Sequence, residues 1–308
     1  MVFVGVSCGG EYWGPEAFRE VERLGYDGLF TGEHIVYHRP VWDAVTMCVA
    51  MACATERIAI GPAAVIAPLR HPTILAKELT GLDRIAGGRL VVALGAGGDN
   101  PKEFHAAGVP LERLGRRMTE SLEILRRYLG GERFSYAGEC FQLEDVWLDP
   151  LPARPGGPPL WVAGRREGAR RRAARLGDGF LPYLYTPESC ARAFADLRAD
   201  AEAAGRELPP GFAWGAYVYV SVGDDREEAR RRGDAHLARR YAEPRFLGDL
   251  AGKYVVAGRP QDCADGLLRF AAAGCTHLVL ALVPREGEGP LPLLGLVADE
   301  VLPLVRGT

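Results

Sequence analysis

The sequence predicts an α/β protein of the (β/α)8 TIM-barrel class. Short β-branched runs alternate with longer helical patterns along the whole chain, the signature of a parallel sheet built from βα units. Eight such strands and eight or more helices in 308 residues suit a closed barrel better than an open doubly wound sheet. No linker divides the chain, so residues 1–308 are expected to form a single domain.

The first strand is Val2 to Val6; its helix opens at Pro15, where proline suits a first turn, and ends at Gly25, where glycine suits a left-handed cap. Tyr26 to Thr31 follows, with a helix from Trp42 to Ala54, then Ile58 to Ile66 with a helix opened by Pro72 and closed by Gly87. Arg89 to Leu94 is the fourth strand. Beyond a glycine-rich turn, Leu114, Met118, Leu122 and Leu125 recur at helical spacing within Leu114 to Leu129. There the rhythm breaks: Phe134 to Trp147 reads as a short hairpin insertion after the fourth βα unit, and Pro150 to Pro159 as a proline-rich loop. The strand–helix pattern resumes with Leu160 to Ala163, Gly168 to Leu176, Gly179 to Leu181 and Pro187 to Ala204. Ala213 to Val220 and Thr276 to Val283 supply the last two strands, and Leu291 to Val305 the final helix.

Composition narrows the function. With 37 Lys plus Arg against 40 Asp plus Glu, the net charge of −3 disfavours a nucleic-acid partner. The longest apolar stretch, near Ala44 to Ala54, is well short of the roughly 18 residues of a membrane span, so no membrane partner is expected. Seven cysteines without a C-x-x-C pair fit a reducing, cytoplasmic setting. A metal site is not expected, because no His/Cys cluster has ligand spacing.

In a barrel of this class the chemistry belongs to the loops that follow the strands. Glu33-His34 lies just beyond the second strand, where an acid and an imidazole suited to proton transfer near neutrality would be presented together; a capping histidine is the structural alternative. Glu11 sits similarly after the first strand. Leu160-Trp-Val-Ala-Gly164-Arg165-Arg166 is a strand ending in a glycine that opens a helix, which aims backbone N–H groups and the helix dipole at an anion and reads as a phosphate site. Arg170, Arg171 and Arg172 read as a solvated helix face, and Glu167 in the first turn opposes an anion. Gly5-Val-Ser7-Cys-Gly9 matches the hydrolase elbow, but Pro15 delays the helix that an elbow needs, and a triad would have to recruit His277 from inside a strand. Gly95-Ala-Gly97-Gly98-Asp99-Asn100 is a dinucleotide fingerprint lacking its last glycine and placed after the wrong strand.

Blocks distributed over nearly the whole chain resemble the bacterial-luciferase-like superfamily of flavin and deazaflavin oxidoreductases. They are Ile58-Ala-Ile-Gly-Pro-Ala-Ala-Val-Ile-Ala-Pro-Leu-Arg-His-Pro-Thr-Ile-Leu-Ala-Lys77, Leu82-Asp-Arg84, Gly88-Arg-Leu90, Leu94-Gly-Ala-Gly97, Leu176-Gly-Asp-Gly-Phe180, Val256-Ala-Gly-Arg-Pro260 and Gly274-Cys-Thr-His-Leu278. The likeness is strongest to the branch that uses coenzyme F420, which includes methylenetetrahydromethanopterin reductases. It implies hydride transfer between coenzyme F420 and a small organic substrate, with an FMN-dependent monooxygenase as the alternative, and a homodimer.

The resemblance aligns Ala64-Val65 with the family's non-prolyl cis peptide behind the cofactor ring, and Gly97, Gly98 and Asp99 with the loop edging it. Ala163, Gly164, Arg165, Arg166 and Gly179 fall in the segment that holds the cofactor and its phosphate. His34, with Glu33, and Glu11 take the catalytic positions, and Trp42 and Tyr183 are candidates to line the substrate pocket. A cofactor-free hydrolase using Ser7 and a catalytically idle flavin-binding protein are the competing readings.

Overall fold

Eight strands close into a ring in the computed structural model, which describes residues 2–241 and 251–307. In chain order they are β1 (Phe3–Ser7), β2 (Gly28–Thr31), β3 (Ala59–Ile66) and β4 (Val92–Gly95), then, beyond a hairpin of β5 (Phe134–Ala137) and β6 (Gln142–Val146), β7 (Leu160–Ala163), β8 (Gly179–Leu181), β9 (Ala213–Val222) and, after the short β10 (Val255–Gly258), β11 (His277–Leu282). Each barrel strand pairs in parallel with its neighbour, β8 joins β9, and β9 joins β11, which returns to β1. β10 lies against the far half of β9, Val255 opposite Tyr219. The architecture is the expected TIM barrel with its hairpin after the fourth βα unit.

Alternation along the strands divides the apolar residues in two. Val4, Val6, Leu29, Ile60, Val92 and Leu94 face outward into the layer under the helices, while Phe30, Ala93, Trp161, Leu181, Tyr217, Tyr219 and Val279 fill the barrel. One close approach depends on a missing side chain: a Cβ on Gly61 would lie 1.7 Å from the Val91 carbonyl oxygen.

Most predicted elements appear within a residue or two, Leu114–Leu129 and Leu160–Ala163 with the same bounds. The expected last helix is two, Pro290–Glu300 and Leu302–Arg306, because Pro303 has no N–H to continue the ladder. Sequence reading also left out the helices Pro101–Ala106, Arg226–Tyr241 and Pro260–Ala272. The buried side of Arg226–Tyr241 is Ala229, Gly233 and Leu237, two small residues and one leucine among charges, so it has almost no apolar stripe to read. Among the described residues no helix is long and apolar enough to cross a membrane.

Candidate active site

At the carboxyl ends of β3, β4 and β7 the strand residues shrink to alanine and glycine. The register sets Ile66 beside Gly95 and Gly95 beside Ala163, and a bulge between Ala63 and Val65 shifts the β3 alternation. Both Ala63 and Ala64 therefore pack with the barrel interior while Val65 turns into the outer core. The Ala63–Ala64 peptide is cis, one residue earlier than the alignment of Ala64-Val65 placed it; Val65, fully buried, has no surface at the rim. Ala63, Ala64, Gly95, Ala163 and Gly164 are all partly exposed, which leaves a floor without side chains beyond Cβ. A flat ring fits such a floor. Gly97 edges it at φ 65°, where a Cβ would lie 2.7 Å from Ile66 Cγ2.

His34 stands beyond β2. Its Nδ1 lies 3.1 Å from Glu103 Oε1, and its ring stacks on Tyr37 with centroids 3.8 Å apart. Glu103, 1% exposed, also accepts the Ile35 amide at 2.7 Å, and the Asn100 side-chain amide donates to the Val36 carbonyl. The short helix Pro101–Ala106 thus clamps the histidine loop from the β4 side. From the other side the Tyr37 hydroxyl donates to the Arg240 carbonyl at 2.5 Å. With a carboxylate on Nδ1, the Nε2 atom is the one left for proton exchange.

The turn after β7 carries the anion geometry. Gly164 has φ 145°, and a Cβ there would sit 2.8 Å from the Ala169 methyl. The helix Glu167–Leu176 begins without a side-chain cap; the Ala169 amide donates to the Arg166 carbonyl at 2.9 Å, which leaves the Glu167 and Gly168 amides of the first turn without a capping side chain. Glu167 turns to Arg171 at 2.5 Å, and Arg170 to Asp196 at 3.1 Å. Arg172 donates to Thr119 at 3.0 Å. These pairs occupy the helix face while Arg166 stays exposed and Arg165 lies 5.9 Å from the Tyr183 ring centre. Tyr183 donates to Asp99 at 2.9 Å; burial first, then the Asp99 charge, push its pKa up, so it remains a donor through neutral pH.

Other expected site residues lie elsewhere. Glu33 is buried and saturated: Arg70 donates to both its oxygens at 2.8 and 2.7 Å, and the Ile66 amide at 2.8 Å. It ties the β2 loop to β3, and has no oxygen left for a substrate. Glu11 is exposed and meets Arg39 at 3.4 Å; the cavity it lines does not include His34. Gly179 begins β8 opposite Trp161, at the amino end of the barrel, where a Cβ would lie 2.6 Å from the indole; its role is close packing. Trp42 is half exposed against Tyr12, ring centres 5.4 Å apart. Ser7 is buried and accepts from Tyr217 at 3.1 Å. His277 pairs with Phe3, four residues before Ser7, or about 13 Å along a strand, which separates the elements of a Ser–His pair.

Glu103 was missed because it lies on a six-residue helix with no periodicity of its own; the Asn100-Pro101 start was its only signal. Among the described residues no group of three or more His, Cys, Asp or Glu is placed to hold a metal ion.

The profile of a family described as luciferase-like monooxygenase matches residues 15–277. A 4-hydroxyprotoasukamycin monooxygenase of Streptomyces nodosus subsp. asukaensis is 30% identical over 220 residues, covering 68% of this chain and 58% of that protein. The chain spans less than two thirds of the length of the first curated relatives it matches, 58% to 60%. An F420-dependent glucose-6-phosphate dehydrogenase of Nakamurella multipartita is 24% identical over 337 aligned positions, covering 98% and 96%. The solved structure of an F420-dependent secondary alcohol dehydrogenase in complex with an F420-acetone adduct superposes with a TM-score of 0.85 at 18% identity, over 99% of each chain.

Proposed function

The chain belongs to the luciferase-like family of oxidoreductases, and within it we propose an enzyme that moves a hydride between coenzyme F420 and a small organic substrate at the carboxyl rim of the barrel. One observation carries this reading: a carboxylate-backed histidine stands in the loop next to the strand whose bulged end forms a floor of alanine and glycine. Ala63, Ala64, Gly95 and Ala163 would seat the ring, and Gly164 with the amides of the following turn would hold its phosphate. The deazaflavin supplies a carbon that gives or takes hydride.

The chain's own residues do the rest. Glu103 fixes the His34 ring by holding Nδ1. Nε2 then gives or takes the proton that matches the hydride. Tyr183, whose hydroxyl donates to the Asp99 carboxylate, edges the floor from one side. The apolar interior beneath, Phe30 with Trp161, keeps water from entering through the barrel.

A second reading, an FMN-dependent monooxygenase, draws on the 30% identical relative. Titration of the purified protein with coenzyme F420 and with FMN separates them: F420 is expected to bind at least tenfold more tightly, and the reverse order supports the monooxygenase.

We further propose a homodimer. The helix Ala44–Ala54 has no charged residue, and Ile74 and Ile85 are exposed on the adjacent helix Pro72–Ile85. Sedimentation at micromolar concentration is expected to show a dimer that Ala50→Glu dissociates.

A further inference from the structure

We propose that Arg240 forms an anion subsite on the carboxyl face and that the substrate carries a carboxylate or phosphate, an inference that rests on the rim being the active site. Arg240 lies in the last turn of the helix Arg226–Tyr241 and reaches into the barrel mouth. Among the described residues its guanidinium makes one hydrogen bond, to the Gly9 carbonyl at 3.3 Å, and no ion pair. Five N–H donors with one long bond leave the charge without a carboxylate partner among the described residues.

The neighbours do not neutralise it. Tyr219 lies with its ring centre 5.9 Å away and bonds Tyr241, and both phenols are held neutral by burial. Glu11 is engaged by Arg39 at 3.4 Å, and Glu288 lies 3.8 Å from Arg285. Burial first, then the charges of Arg240, Arg39 and Arg239, push the His236 pKa down to about 3, so the imidazole stays neutral and adds no charge beside the guanidinium.

The group faces open space. A cavity of about 210 Å³ is lined by Arg240, His236, Tyr219, Ser7, Gly9 and Glu11, among others. It adjoins the floor: a Cβ on Gly32 would lie 3.8 Å from Arg240 Nη2 and 3.9 Å from the Ala63 carbonyl oxygen. An anionic group bound here would fix one end of a substrate whose other end reaches the ring seat. A planar guanidinium fork recognises carboxylate and phosphate alike.

The test is calorimetric titration of inorganic phosphate and of benzoate into the protein, with and without bound F420. Saturable binding of either anion is expected. Arg240→Gln should weaken it at least tenfold while F420 affinity changes less than threefold. Arg240→Lys, which keeps the charge but loses the fork, should weaken it about threefold and covers the case in which the glutamine variant does not fold. Unchanged anion affinity in both variants overturns the proposal, and so does displacement of F420 by the anion, which would put the anion in the cofactor's phosphate site. If F420 fails to bind but anion affinity still falls in the variants, the subsite stands and the cofactor assignment fails.

Discussion

Glu33 and Glu103 are both buried rim carboxylates with opposite roles. Glu33 holds a cation, since Arg70 gives it two hydrogen bonds, whereas Glu103 holds an imidazole whose other nitrogen is left for chemistry. Arg70 keeps Asp43 and Glu78 as partners, so Glu33→Gln costs the charge-assisted bonds to Arg70 and the Ile66 amide rather than stranding a cation, and should destabilise the fold by about 2 kcal/mol, read as a lowered urea midpoint. His34→Ala should leave cofactor affinity near wild type while cutting turnover about a hundredfold or more; unchanged turnover removes it from the mechanism. Glu103→Gln should cut turnover about tenfold or more and alter its pH profile, a shift that a purely structural carboxylate would not produce. The place of His34 at the rim was legible because it lies three residues beyond the end of β2. Its partner was not, because the pairing spans 69 positions and only the closed barrel brings the β2 and β4 loops together.

At the scale of elements, the turn after β7 and the floor are properties of backbone more than of side chains. Gly164→Ala forces a methyl against Ala169 at a φ that disfavours any side chain, and should weaken F420 binding about tenfold, the size of one lost charge-assisted contact. Gly61→Ala brings a methyl onto the Val91 carbonyl and should cost about 3 kcal/mol or more, seen as a lowered melting temperature. The turn was readable from Gly164 alone. The bulge was not, since a one-residue shift in register leaves no trace in composition, and so the cis bond was placed at Ala64–Val65 and Val65 was assigned to the rim. Arg226–Tyr241, which delivers Arg240, was unreadable for a different reason: its packing side is Ala229, Gly233 and Leu237, set in a sequence dominated by charges.

The whole molecule separates catalysis from stability along the barrel axis. His277 lies at the amino end, between Phe3 and Trp161, and burial pulls its pKa down to about 4. The unfolded chain binds its proton near pH 6.5 and the folded chain does not, so this histidine lowers stability as pH falls from about 6.5 to 4, by ~3 kcal/mol at the lower limit. Denaturant unfolding from pH 7 to 4 should show that slope, and His277→Phe should flatten it. The alternation of strand and helix made the barrel itself legible, since eight βα repeats have few ways to close. Which residues reach the rim depended on a bulge, a short helix and a helix poor in apolar residues.

The floor of alanine and glycine is the claim on which the functional reading stands. Its direct measurement is a fluorescence titration of coenzyme F420 against the wild-type protein and Ala64→Leu, with the melting temperature of each recorded. Saturable binding by the wild type, weakened thirtyfold or more by a leucine that leaves the melting temperature within a few degrees, is the predicted result. Equal affinity in the two proteins, or no binding of F420 or FMN by the wild type, would contradict it.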